Sequence, residues 1–232
     1  NHEGLIHDAH IQCIDESKPS FQTDRGTELN FRDCWKFNVA AYRLDRLLDL
    51  NMTPPSVERR WAGKHGAFTW WLDNAMMEVE RLRKKVSPPD YSSFNSQIHT
   101  IRVMDQLLLN MDRNLQNLLI TPDWKVWMID HTRCFRIRKE IAHPKNLVQC
   151  DRALFAKLRA LERPAVEAQM QDLLRSVEID ALMSRRDLII RFFEKKISEE
   201  GEDRVLFDMA PRAAAYVVDA PSLIAGASKG SQ

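Results

Sequence analysis

Three side chains near the middle of the chain have the types and spacing needed to move a proton and hold a hard metal ion. Asp112 lies in a polar turn, Asn117 follows five residues later, and Asp130 follows thirteen after that. The turn reads Asn110-Met-Asp112-Arg113-Asn114-Leu-Gln-Asn117, and Asp130 ends the apolar run Val126-Trp-Met-Ile. Phosphoryl transfer uses such a set. One carboxylate orients the attacking hydroxyl and accepts its proton, while an amide oxygen and a second carboxylate hold magnesium against the phosphates. Magnesium takes oxygen ligands and keeps several waters, so one Asn and one Asp suffice.

The flanking pattern supplies rigid elements to carry these groups. Residues 95–109 predict a helix, with Ile98, Ile101, Met104 and Leu108 on one side. Two strands follow, over 117–121 and 124–129, with Pro122-Asp123 as the turn between them. The three polar groups then emerge where loops leave these elements.

Upstream, residues 5–14 read as a weak strand, followed by a polar loop through Lys18, Pro19 and Gly26. Residues 30–50 predict a helix with Trp35, Val39 and Tyr42 on one stripe and Ala41, Leu44 and Leu48 on the next; Pro54 and Pro55 stop it. Strands over 56–61 and 67–72 flank the glycine-bearing loop 62–66. Residues 75–86 predict a helix with a basic end, which suits the helix dipole. Downstream stripes are helical: Leu154, Leu158 and Leu161; Val166, Met170 and Leu173; Leu182, Ile189, Phe193 and Ile197. The small-residue tail after Pro211 predicts mobility. Strands early and helices late predict an α+β fold.

Composition removes several alternatives. With 232 residues, 44% hydrophobic and 29% charged, the chain has enough apolar content to bury a core. Its formal charge of +1 gives no global reason to bind nucleic acid. Four cysteines, Cys13, Cys34, Cys134 and Cys150, are too few for a disulfide scaffold and read as free thiols in a reducing, cytoplasmic compartment. No apolar run approaches the roughly 20 residues of a membrane span, and the first thirty residues hold no signal-peptide core. The first residue is Asn1, so the chain reads as trimmed or a fragment. Glycine is scarce, with seven in all and none between Gly66 and Gly201, so the turn must work with Asn and Asp instead.

The Asp-x-x-x-x-Asn spacing, followed by an apolar hairpin that ends in Asp, resembles the catalytic loop and metal-binding Asp of kinases. The Asn-x-Asp-Arg-Asn-x-x-Asn segment with Ile129-Asp130 is similar to the atypical kinase group of phosphatidylinositol 3- and 4-kinases, HipA-type bacterial kinases and Fam20 kinases, with bacterial members nearest. Val39-Ala-Ala-Tyr-Arg-Leu-Asp-Arg-Leu-Leu and Pro54-Pro-Ser-Val resemble their first-lobe helix and following strand. The resemblance runs from about Ala9 to Phe135. It implies a two-lobed fold: a partial N-terminal lobe and hinge over 1–75, a helical catalytic lobe over 76–210, and a tail over 211–232. It implies ATP and Mg2+ as cofactors and a protein, lipid or small-molecule hydroxyl as acceptor. Asp112 would be catalytic, Arg113 would brace the loop or meet phosphate, and Asn117 and Asp130 would hold the metal. Trp70, Trp71 and Leu72 would form the hinge beside adenine. Gln12 stands where the group carries its nucleotide-gripping lysine, and Asn38 stands near the site of the acid that pairs with it, with Glu28 and Asp33 as displaced candidates.

Other readings stay open on residues alone. The polar turn could be a helix stop with local hydrogen bonds, which would make the chain a helical adaptor. A pseudokinase would keep the fold and lose turnover. The tryptophans read mainly as packing. His131, Cys134, His143 and Cys150 are irregularly spaced for zinc, and Gly226-Ala-Ser228-Lys-Gly230 lacks the strand-to-helix context of a nucleophile elbow.

Overall fold

The computed structural model describes residues 6–23 and 26–212. The expected mobile tail, with the string around Ser228, lies from residue 213 onward outside the described residues. Among the described residues the architecture is mixed, with four small sheets and several helices.

Strand β1 (Ala9–Gln12), β4 (Ser56–Trp61) and β5 (Lys64–Trp70) form an antiparallel sheet in the order β1-β5-β4. The β4–β5 turn is tight because Ala62 and Gly63 both adopt positive φ, 48° and 78°, the twist that a two-residue hairpin favours. Gly66 lets β1 approach β5. A Cβ there would lie 2.7 Å from both Cys13 Sγ and the Gln12 carbonyl oxygen.

Between β1 and the first helix, the expected polar loop is instead a paired ribbon of β2 (Asp15–Thr23) and β3 (Gly26–Cys34). The expected helix start at Asn30 moves accordingly, and α1 spans Lys36–Leu47. The ribbon escapes a periodicity reading because both its faces are largely exposed, so no alternation of apolar residues marks it; Phe31 and Cys34, near its base, are buried. Its register skips Pro19 and Asn30, and Asn30 takes φ 54°. An isolated ribbon tolerates such an interruption where a central strand would not.

Helix α1 buries Phe37, Ala40, Ala41 and Leu44. Its Asp45 is fully buried and accepts hydrogen bonds from the Met52 and Thr53 amides at 2.9 and 3.1 Å, fixing the chain as it leaves the helix. Helix α2 spans Glu78–Lys84. Pro88 and Pro89 separate it from α3 (Tyr91–Leu108), whose Asp90 cap accepts from the Ser92 amide. Strands β6 (Met76–Met77), β7 (Leu118–Ile120) and β8 (Val126–Met128) make a second three-stranded sheet. Helices α4 (Arg152–Ala160), α5 (Arg163–Met170), α6 (Ser176–Glu200) and α7 (Glu202–Val205) complete the core. Short strands β9 (Cys150–Asp151) and β10 (Leu206–Phe207) pair in parallel and return the chain to α3. The segment ends at Arg212, which is buried, bonds Gln97 Oε1 and the Val126 carbonyl, and lies over the Trp127 ring. All four cysteines are free, and no described helix is long and apolar enough to cross a membrane.

Arg185 of α6 is the largest fully buried side chain. Its guanidinium donates to the carbonyls of Leu107 (2.8 Å), Arg136 (2.8 Å) and Arg138, so α6 holds both the end of α3 and the segment after Asp130. Burial pulls its pKa down to about 10, which leaves it charged at neutral pH. Arg185→Met strands these carbonyls and is expected to cost about 2–4 kcal/mol in urea unfolding; a loss under about 0.5 kcal/mol, the range of neutral surface changes, would show that α6 holds them in some other way.

Candidate active site

The polar turn begins where α3 stops. Leu109 ends the helix in the left-handed region at φ 49°, a position glycine usually fills. Asn110 then makes two local bonds: its Oδ1 accepts from the Asp112 amide at 3.0 Å, and its Nδ2 donates to Asp105 Oδ1 at 3.2 Å. Asp112 is thereby placed on a fixed backbone one turn beyond the helix. Asn114 closes the loop by donating to the Asp112 carbonyl and accepting from the Gln116 amide. Asn117 Nδ2 also donates to the Asp112 carbonyl, at 3.4 Å. The expected local hydrogen-bonded turn is therefore present, and it is the frame of the site.

Arg113 ties this turn to the hairpin. Guanidinium has five donors in a rigid fork, and here each has a partner. Nε and one terminal nitrogen sit on Asp105 at 3.0–3.2 Å. The other terminal nitrogen donates to the carbonyls of Asn117 (2.7 Å) and Ile129 (3.0 Å), and the fork reaches His131 Nε2 at 3.4 Å. Asp105 is buried; burial pushes its carboxyl above the ordinary range and the Arg113 charge opposes that push. His131 is also buried. Burial first, and Arg113 second, hold its pKa well below the usual value, so it is neutral. Because the guanidinium only donates, Nε2 accepts and the proton sits on Nδ1.

At the open end of the β7–β8 hairpin the Ile129 amide donates to the Asn117 carbonyl at 3.2 Å, and Asp130 follows as the next residue. Asp130 adopts φ 54° and accepts the Thr132 hydroxyl at 3.1 Å on Oδ1. The loop after it is held from α1, where Asn38 Oδ1 accepts from the His131 amide at 2.7 Å, and from the ribbon, where the Cys34 amide donates to the Thr132 carbonyl at 2.9 Å. Asp33 lies beside this loop, with its carboxyl raised by burial and by nearby Asp130 against a Thr132 hydrogen bond and the Arg133 charge. Among the described residues no group of three or more His, Cys, Asp or Glu side chains is placed to hold a metal. An amide and a carboxylate that keep Asn117 Oδ1 and Asp130 Oδ2 for a ligand nonetheless suit a hydrated magnesium ion.

Asp112 opens on a cavity of about 910 Å³ lined by Phe21, Thr27 and Glu28 of the ribbon, by Arg113, and by Arg133, Arg136 and Arg138. Asn117 and Asp130 lie outside this lining, as do Gln12, Trp70, Trp71 and Leu72. Gln12 faces Ala67 across the sheet, and its Oε1 accepts from the Ile14 amide. Trp70 stacks on His7 at 3.7 Å. The Trp71 amide donates to the Asp8 carbonyl, and the Trp71 carbonyl bonds His7 Nε2 at 2.9 Å. Trp71 is half exposed and Leu72 is buried. Sequence reasoning assigned no role to Asp105, Asn110 or Arg133. A carboxylate eight residues before an arginine carries no local signal, although Asn110 before Asp112 is a readable turn former.

Residues 51–200 match the model of a family described as phosphatidylinositol 3- and 4-kinase. Among solved structures, the structure of hydra Fam20 with sugar is similar, with a TM-score of 0.59 and 14% identity over 76% of this chain and 75% of that one. At that identity the likeness concerns the fold alone. No curated protein matches the chain.

The Asp105–Arg113 pair has a stability signature. Arg113→Met leaves a buried carboxylate without its countercharge and is expected to cost about 3–5 kcal/mol in urea unfolding. Adding Asp105→Asn removes the stranded charge and should recover at least about 1 kcal/mol of that loss. A double variant as unstable as the sum of the two singles would contradict the pairing.

Proposed function

The chain belongs to the phosphatidylinositol 3- and 4-kinase family, and from that premise we propose that it is an ATP- and magnesium-dependent phosphotransferase acting on a hydroxyl acceptor. One observation carries this reading: a single guanidinium, Arg113, binds the turn that holds Asp112 to the hairpin that holds Asn117 and Asp130. A helix stop alone would not need that cross-brace. In this reading residues 1–75 are a partial first lobe and hinge, and 76–210 are the catalytic lobe.

Asp112 is the residue that orients the acceptor hydroxyl and takes its proton. Its carboxyl is about half exposed and borders the cavity, so an acceptor reaches it from the ribbon side. Arg113 acts as a brace, since its donors are already used within the protein. Asn117 Oδ1 and Asp130 would hold magnesium, which supplies charge neutralisation at the phosphates. The hinge Trp70-Trp71-Leu72 would border the nucleotide through side chains, because both backbone polar groups of Trp71 already have partners.

A second reading has its own support. The β1 position of the nucleotide-gripping lysine is Gln12, and that side chain is turned back onto its own strand end. A fold of this family with weak or no turnover would look the same there.

Two variants separate these readings. Asp112→Asn is expected to lower magnesium-dependent ATP hydrolysis or phosphotransfer by about 10²–10⁴-fold. Asp130→Asn removes the carboxylate charge but keeps an acceptor for Thr132 and a residue that tolerates the left-handed backbone, so it should leave the melting temperature nearly unchanged while sharply reducing the magnesium-dependent rise in melting temperature that nucleotide gives the wild type. A wild type with no such rise and no hydrolysis would favour the second reading. Unchanged turnover in Asp112→Asn would remove Asp112 from the reaction.

A further inference from the structure

The β2–β3 ribbon forms one wall of the cavity, yet none of the groups proposed for the reaction lies on it. It is also firmly anchored. Arg32 pairs with buried Glu178 of α6 at 2.5 Å, and Arg136 donates to the Arg32 carbonyl at 2.7 Å. Phe21 and Phe31 stack at 4.2 Å, and the guanidinium carbons of Arg133 and Arg136 lie 5.2 and 5.3 Å from the Phe31 ring centroid. Glu28 bridges the same two arginines, with Oε1 2.9 Å from Arg136 Nε and Oε2 3.6 Å from Arg133. From the other side Arg133 reaches Asp112 Oδ1 at 3.4 Å. Among the described residues, Arg133 is the one cation within ion-pair distance of that carboxylate. A continuous line of charge therefore runs from ribbon to proton acceptor: Glu28, Arg133, Asp112.

An aspartate side chain on a fixed backbone still has several rotamers. The Asn110 turn sets the Asp112 backbone, and nothing else described sets its carboxyl. We infer that Arg133 and Glu28 are positioning residues: through them the ribbon selects the direction in which the Asp112 carboxylate points. The wall that an acceptor touches and the group that takes its proton are thus one coupled unit. This rests on the reading of Asp112 given above. The three side chains are about a quarter to a half exposed, and solvent leaves such pairs little weight in stability. Their effect belongs in turnover, where misplacing a reacting group by about 1 Å costs up to 10²-fold.

The test uses magnesium-dependent ATP hydrolysis by the full chain, with water as acceptor. Arg133→Ala is expected to lower kcat about tenfold or more, with KM for the magnesium–nucleotide complex unchanged to within about twofold and a melting temperature lowered by at most about 4 °C, because Arg32 and Arg136 still hold the ribbon. Arg133→Lys should return part of the loss. Glu28→Gln should lower kcat in the wild type and add nothing in the Arg133→Ala background. A kcat unchanged in Arg133→Ala, or two losses that simply multiply, would overturn the inference. A parallel measurement needs no turnover: the Asp112 carboxyl carbon NMR resonance should move on Glu28→Gln in the wild type and stay still in Arg133→Ala. Equal movement in both backgrounds would overturn the inference even in an active enzyme. Absent hydrolysis with the expected NMR coupling would sink the phosphotransfer reading and leave the positioning unit standing.

Discussion

The buried contact between Asp105 and Arg113 is the joint on which the candidate site depends. A carboxylate near the end of α3 costs free energy to bury, and it is kept there because a guanidinium meets it and spends its remaining donors on backbone carbonyls. Those carbonyls belong to Asn117 and Ile129, which flank the two strands at the open end of a hairpin that the turn would otherwise only adjoin. One side chain thus converts a helix end, a turn and a hairpin into a rigid body. Arg185 does related work from below, holding the last turn of α3 and the segment after Asp130 to α6.

Rigidity of this kind is what phosphoryl transfer asks of a protein. There is little covalent chemistry for side chains to perform, so placement and electrostatics carry the catalysis. The scarcity of glycine fits the same picture. Leu109, Asp130 and Phe135 all take φ near 50°, where a non-glycine residue is uncommon. Each is pinned: Leu109 by the α3 carbonyls, Asp130 by its Thr132 bond, and Phe135 by its amide on the Leu108 carbonyl at 2.7 Å. The surrounding packing, rather than the intrinsic freedom of the residue, holds these conformations.

Much of this frame could be read from residues. Apolar spacing located α3, and the Pro122-Asp123 turn located the β7–β8 hairpin that Arg113 ties to the Asp112 turn. The lack of glycine implied a 110–117 turn built on Asn and Asp; there they act through side-chain hydrogen bonds, and the left-handed residue is Leu109 just before it. What stayed hidden was non-local. The β2–β3 ribbon has two wet faces and a proline, so no alternation announces it. Glu28 and Arg133 are separated by about a hundred residues, and only the fold makes them neighbours. Asn38 stands near the expected acid position on α1, but its bond to the His131 amide could not be inferred from its type. The capture of both polar groups of Trp71 by residues 7 and 8 was equally invisible, because strand pairing across that distance leaves no local mark.

The proposed metal site needs Asn117 and Asp130 to act as a pair, held by Arg113, which bonds the backbone on both sides of the hairpin. Manganese substitutes for magnesium and broadens the NMR signals of nuclei near it. With manganese and ATP added to the full chain, the amide signals of Asn117 and Asp130 should broaden first and together, ahead of those near Glu199 at the far end of α6. Broadening at only one of the two, or none that depends on ATP, would show that the two residues do not share a metal.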